Sequence, residues 1–251
     1  MFSAEHRDDV RGRVLELARA DPRVTAGALT GSTAFGGGDA WSDVDVAFGL
    51  ADGVDLETVL DEWTAALDRE FGVLAHWDLR AGPSIYRVFL LADGLEVDVA
   101  VTPDREFGAR GPSFKLLFGA AREVAAVPGP DADYLIGLGW HHVLHARSCI
   151  ERGKPWQAEY WIGGIRDHTL ALACLRLGEP AVYARGADRL PAAVTGPLAG
   201  TLVRSLDGAE LRRALAAATR CYLGELEARD PALCARLAPL LREFGALQDT
   251  D

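Results

Sequence analysis

Hydrophobic and polar positions along this chain follow two different periods, and the change from one to the other divides it. Val10, Val14, Leu17 and Ala18 recur at helical spacing over residues 5–20, and Asp21-Pro22 breaks the run. Val24–Thr30 reads as a short apolar strand that leads into Gly31-Ser32, and a second strand is expected over 43–50. Val59, Leu60, Trp63, Leu67 and Phe71 mark an amphipathic helix over Leu56–Phe71, with Gly72 as its stop. Strands are expected next over Val73–Leu79 and Ser84–Leu91. Asp93-Gly94 is a hairpin signal before Leu95–Val101, where Leu95, Val97, Val99 and Val101 share one face and Glu96, Asp98 and Ala100 the other. Pro103 ends that run, residues 103–130 give no clear element, and Pro128-Gly129-Pro130 reads as a domain boundary. Beyond it the spacing is helical. One helix is expected over 131–152 and a second from Pro155 to Leu177 before Gly178. A third starts at a capping-box-like Asp207/Glu210 pair, with Leu211, Leu215, Ala218, Tyr222 and Leu226 as its stripe. A last helix runs from Asp230-Pro231 to about Leu247. The pattern predicts an α/β half followed by an all-α half.

Composition adds limits. Hydrophobic residues make up 49% of the 251 and charged residues 25%, enough to bury a real core. No apolar run approaches the roughly 18–20 residues of a membrane helix, and the N-terminus lacks a basic-then-apolar leader, so a cytoplasmic protein is expected. Cys149, Cys174, Cys221 and Cys234 lack metal-ligand spacing and are expected as free, buried thiols. A net charge of −11 disfavours gripping nucleic acid by its phosphates and suits a cationic small molecule.

Candidate chemistry gathers in residues 30–46. On a strand, Asp43 and Asp45 point the same way, roughly 6.5–7 Å apart at the backbone, while Val44 and Val46 enter the core. Two such carboxylates stay ionised most easily around a cation, and Mg²⁺ suits carboxylate oxygens shared with water and phosphate. The alternative is a turn followed by a strand with a solvated acidic face. Asp98 adds a third strand carboxylate on its own polar face. Three carboxylates on adjacent strands could hold two ions, which stabilise both the attacking and the leaving oxygen of a phosphoryl displacement. The Gly31-Ser32 turn, expected to open a short helix, offers N–H groups and a hydroxyl to phosphate. Gly36-Gly37-Gly38 is not followed by Lys-Ser or Lys-Thr, so it is no Walker loop and more simply allows a tight turn. No nucleophile elbow surrounds Ser32.

Gly-Ser, ten intervening residues, Asp-x-Asp and a later strand Asp resemble the DNA polymerase β-type nucleotidyltransferase superfamily over roughly the first 100 residues. The resemblance implies an α+β fold: a mixed-sheet nucleotidyltransferase domain over 1–127, then an all-α helical bundle over 131–251 that covers the acceptor. It implies that Gly31 and Ser32, with Thr33 and Ser42, meet the triphosphate of ATP or another NTP. Asp43 and Asp45 would bind two Mg²⁺ ions and Asp98 would complete the site. Residues 150–162 with Arg166 resemble the helical domain of kanamycin-type aminoglycoside nucleotidyltransferases, in which a helix glutamate accepts the substrate's proton; Glu159 matches it. The chain departs from that pattern one turn later, where Gly163 replaces a basic residue. Arg166 lies on nearly the same face as Glu159, roughly 10 Å further along, and could reach the triphosphate. The alternative is a solvated or interface face.

The implied reaction moves AMP, or another NMP, to a hydroxyl of a small molecule, with an aminoglycoside-like antibiotic as one acceptor and resistance as one role. The implied base is Glu159, or Asp98 if Glu159 is structural. A homodimer that closes the site is compatible with the resemblance. Two other readings stay open: a protein-directed AMP transferase or toxin-neutralising partner, and a non-catalytic nucleotide-binding module. His141, His142 and His145 share a helix face, where packing or substrate lining outweighs zinc for want of a fourth ligand. Trp156, Tyr160 and Trp161 are expected in the core, with stacking on a base or substrate ring as the alternative.

Overall fold

The computed structural model describes residues 2–245 and divides into two compact units after Val127. In the first unit six strands form one sheet: β1 (Val24–Thr30), β2 (Val44–Leu50), β3 (Val73–Ala81), β4 (Ser84–Leu91), β5 (Glu96–Pro103) and β6 (Phe114–Phe118). Their order is β3-β4-β5-β2-β1-β6, with β2 and β5 parallel and the other neighbours antiparallel. The sheet is therefore mixed, and the fold class is α+β.

Alternation sorts the two faces. Val44, Val46, Phe48 and Leu50 of β2 and Val97, Val99 and Val101 of β5 are buried with residues of α1 (Ala4–Ala20) and α2 (Leu56–Phe71). Burial of such side chains stabilises by about 1.5–3 kcal/mol each. α1 begins where the Ser3 hydroxyl accepts the His6 N–H at 3.1 Å, and α2 stops at Gly72, whose φ is +69°. Arg87 is buried on the helix-covered face. Two parallel bonds to Asp78 at 2.7 and 2.8 Å, with Asp61 and Thr64 at 2.7 and 3.0 Å, satisfy its guanidinium. The other face carries a smaller apolar group of Ala26, Ala28 and Phe107 with Ala47 and Phe114 packed against it, and Asp45 and Asp98 rise from the same face.

β6 is a finding that periodicity did not foretell. Its sequence, Phe-Lys-Leu-Leu-Phe, lacks strict alternation, and pairing with β1 (Thr30 opposite Phe114) holds it at the sheet edge.

The second unit is helical: α3 (Ala132–Glu151), α4 (Pro155–Leu177), α5 (Ala192–Ala199), α6 (Gly208–Arg229) and α7 (Pro231–Gly245). The Asp131 carboxylate caps α3, Pro155 opens α4, and Gly178 closes α4 at φ +75°. Ile136, Val143, Ile162, Ile165, Leu211, Leu215 and Leu226 centre one core. Tyr222 is wholly buried there and donates its hydroxyl to the Ile136 carbonyl at 2.8 Å; a side chain at Gly139 would lie 2.1 Å from its ring.

Two details differ from the sequence reading. Asp207 is the N-cap of α6 but makes no capping hydrogen bond. Its carboxylate takes the Ser205 hydroxyl at 2.7 Å, while Glu210 accepts from the Arg204 N–H at 3.0 Å and from Arg213. These local partners outcompete the capping box. α5 fills a stretch for which no element was expected, and its mid-helix Pro197 hides it from propensity reasoning. The last helix is described to Gly245, and the expected end near Leu247 lies outside the described residues.

Candidate active site

β1 ends at Thr30, and Gly31 then takes φ +64° and ψ −157°, a backbone state almost confined to glycine. Beyond it Ser32–Phe35 form one 3-10 turn, closed by Gly36 at φ +79°. A Cβ on Gly31 would sit 1.8 Å from Oδ2 of Asp45, so the glycine is what lets that carboxylate lie against the turn. Two residues singled out separately in the sequence are thus one steric unit.

Strand pairing adds the third. On parallel β2 and β5, Asp45 stands directly opposite Asp98, with Val46 opposite Val99 on the other face. Parallel neighbours lie about 4.8 Å apart, so both carboxylates rise side by side from the face that the helices leave open. Asp43 immediately precedes β2. Burial, then the negative charges of Glu96 and Asp43, push the Asp98 carboxyl up to about 6 from its ordinary 3.8. Its Oδ1 is buried and has no hydrogen-bond partner.

The loop before β2 is organised by a residue the sequence reading passed over, Asp39. Its carboxylate accepts from the Trp41 N–H at 2.8 Å and the Ser42 hydroxyl at 3.1 Å, which hold its carboxyl below the usual range. Ser42 Oγ also accepts the Asp39 N–H at 2.9 Å and takes a hydrogen bond from Ser32 Oγ at 3.3 Å. Arg7 of α1 donates to the Asp39 carbonyl. Ser32 and Ser42 are thereby joined across the turn, and Thr33 is buried beside them with its hydroxyl unpartnered. The available signal was Asp39 three residues ahead of Ser42, a spacing that favours such turns.

Among the described residues, no three His, Cys, Asp or Glu side chains stand close enough together to hold a metal ion. The donor chemistry nonetheless fits a divalent cation: an unpartnered buried carboxylate oxygen, destabilised by neighbouring carboxylates, is what positive charge relieves. A stability prediction follows from the sign of that shift. A carboxyl whose folded-state value is raised binds more protons folded than unfolded, so it lowers stability as pH rises from about 4 to about 6. Discounted for its partial exposure, the penalty at neutral pH is about 1–2 kcal/mol. In metal-free buffer near neutral pH, Asp98→Asn is expected to raise the thermal midpoint by roughly 3–8 °C, and the gain should vanish near pH 4. Calorimetric scans at the two pH values check this; a gain that persists in acid would assign it to some other cause.

Glu159 and Arg166 lie on α4 of the second unit, each half-buried, with Arg166 Nε 3.5 Å from Asp167. Trp156 and Tyr160 are 75% and 67% exposed, which corrects the core expectation: the first turns of α4 present them outward while Ala158 and Ile162 enter the core. Trp161 is partly buried against that core, with His142 and His145 rings 4.7 and 4.9 Å from it. His142 also meets His168 at 4.8 Å, and burial, then His168, lower its value to about 4. These histidines pack with Trp161 into an aromatic cluster. All four cysteines are free, and Cys221 is only half-buried.

No protein-family model matches the chain, and no curated protein does. Among solved structures it is similar to an aminoglycoside 6-adenyltransferase from Bacillus subtilis, at 14% identity over 98% of this chain and 100% of that one, with a TM-score of 0.42. No helix among the described residues is long and apolar enough to cross a membrane.

Proposed function

We propose that this chain is a Mg²⁺-dependent nucleotidyltransferase that moves AMP, or another NMP, from a nucleoside triphosphate to a hydroxyl of a small cationic molecule such as an aminoglycoside. The observation that carries this reading is the pairing of Asp45 with Asp98 beside a Gly31 turn shaped around the Asp45 carboxylate. Asp43, Asp45 and Asp98 would hold the cations, two in number. Bound there, Mg²⁺ offsets charge on the transferring phosphate and acidifies the acceptor hydroxyl.

The chain's own groups supply the rest. Backbone N–H groups of the turn and the Ser32 and Ser42 hydroxyls orient the triphosphate, with Thr33 supporting the turn from beneath and Arg166 as a further phosphate partner. The acceptor oxygen bonds to the α-phosphorus as the bond to the bridging oxygen breaks, and pyrophosphate leaves. Glu159 takes the acceptor's proton, with Asp98 as the alternative base. A net charge of −11 favours a cationic acceptor.

Purified protein with ATP and Mg²⁺ is expected to add one AMP to at least one member of an aminoglycoside panel, read as a mass increase with release of pyrophosphate. Labelling of lysate proteins instead would assign protein targets. ATP binding by calorimetry with no pyrophosphate release on either would reduce the chain to a nucleotide-binding module.

A further inference from the structure

The helical unit contains a cavity of about 430 Å³ between α4, α5 and α6, and none of its lining residues is assigned a role above. Its size falls within the range of small-molecule sites. Val194, Pro197 and Leu198 of α5 and Ala217 of α6 supply apolar walls. Small side chains there (Ala193, Gly200, Gly224) keep the space open, so the hollow is a consequence of residue size along α5 and α6.

The polar groups of the wall nearly all have partners already. Arg213 bonds Glu210 through Nε and Nη2 at 2.7 Å each, and reaches the carbonyls of Gly200 and Leu202 at 2.6 and 2.9 Å. Both oxygens of Glu225 accept from Arg176 at 2.8 Å. The Thr169 hydroxyl donates to the Ile165 carbonyl at 2.7 Å. Arg220 is different: it is an exposed residue of the wall, and among the described residues it has no hydrogen-bond or ion-pair partner. With each neighbouring charge cancelled, the cavity carries one net positive charge in a chain whose total is −11.

We propose that this cavity binds a small amphiphilic carboxylate, its apolar body against Val194, Pro197, Leu198 and Ala217 and its carboxylate on Arg220. An apolar pocket fixes such a ligand by area, and a single unpaired guanidinium fixes its orientation by a charge-assisted fork. The site is independent of the nucleotidyltransferase reading, since none of its lining belongs to the sheet or to the Glu159 turn.

The wall also holds its own reporter. Cys221 lines the cavity and is half-buried, whereas Cys149, Cys174 and Cys234 are buried. N-ethylmaleimide is therefore expected to modify Cys221 first, as read by peptide mass spectrometry. Decanoate is the probe, with decanol as its uncharged counterpart. At about four times its dissociation constant, decanoate should slow Cys221 alkylation about five-fold by mass action. Arg220→Gln should raise the decanoate concentration needed by about ten-fold or more, and decanol should need a similar excess on the wild type. Ala217→Phe should remove protection by filling the space. Calorimetric titration of decanoate into the wild type and Arg220→Gln gives a second readout; Arg220 is exposed, so that variant keeps its fold. Equal protection by decanol and decanoate, undiminished binding to Arg220→Gln, or no heat and no protection with the wild type would each overturn the proposal.

Discussion

Asp45→Asn is expected to lower nucleotidyl transfer about a thousand-fold, some 4 kcal/mol of transition-state stabilisation, while the thermal midpoint moves by no more than about 3 °C. Asparagine keeps the shape of the side chain that Gly31 accommodates, so the turn and the β2–β5 pairing persist. What it loses is the negative charge beside Asp98, and with it, under the proposed function, the means of holding cationic charge against the triphosphate. Steady-state turnover with ATP and the acceptor identified by the mass assay measures the first quantity, and calorimetry the second. Wild-type-like turnover by this variant sinks the assignment of the carboxylates. A large fall in the midpoint would mean that Asp45 serves the fold rather than the reaction.

The largest effect on stability should come from Gly31→Ala. The new Cβ meets Oδ2 of Asp45 at 1.8 Å, and alanine must also adopt φ +64° with ψ −157°. The two penalties together should cost about 2–4 kcal/mol, or roughly 8–15 °C in the midpoint of the sheet-containing unit. A double-mutant cycle separates them. In an Asp45→Ala background the carboxylate clash is gone and only the 3.0 Å approach to the Cβ of residue 45 remains, so Gly31→Ala should then cost mainly the backbone part, about 1–2 kcal/mol. Additive costs across the cycle would show that the glycine is there for the backbone alone and that the carboxylate does not dictate it.

These two experiments probe a link that neither residue discloses alone. Gly31-Ser32 reads as a phosphate-binding turn and Asp43-Val44-Asp45 as an acidic strand start, each a familiar local pattern. Their mutual dependence needs the antiparallel pairing of β1 with β2, which sets Leu29 opposite Val46 and carries the turn to the carboxylate. Asp39 shows the same limit. Its three-residue spacing from Ser42 is visible, but Arg7, which pins the Asp39 carbonyl, comes from a helix far earlier in the chain. The exposed faces of Trp156 and Tyr160 run the other way: aromatic residues at helical spacing suggest burial, and only the neighbours of α4 show which side is covered.

Side-chain periodicity and the placement of Gly and Pro are properties of a few consecutive residues, and they suffice for β1, β4, α1 and α2 and for the sorting of Val44, Val46, Val97 and Val99 away from Asp45 and Asp98. They also single out Gly31 and the three aspartates as candidates for chemistry. Pairing partners, edge strands and interior space depend on segments distant in sequence, and no local pattern encodes them. So β6, the α5 cavity with Arg220 on its wall, and the burial that raises Asp98 emerged from packing alone. The alignment of Asp45 with Asp98 belongs to both: alternation aims the two carboxylates at one face, and parallel pairing of β2 with β5 brings them together on it.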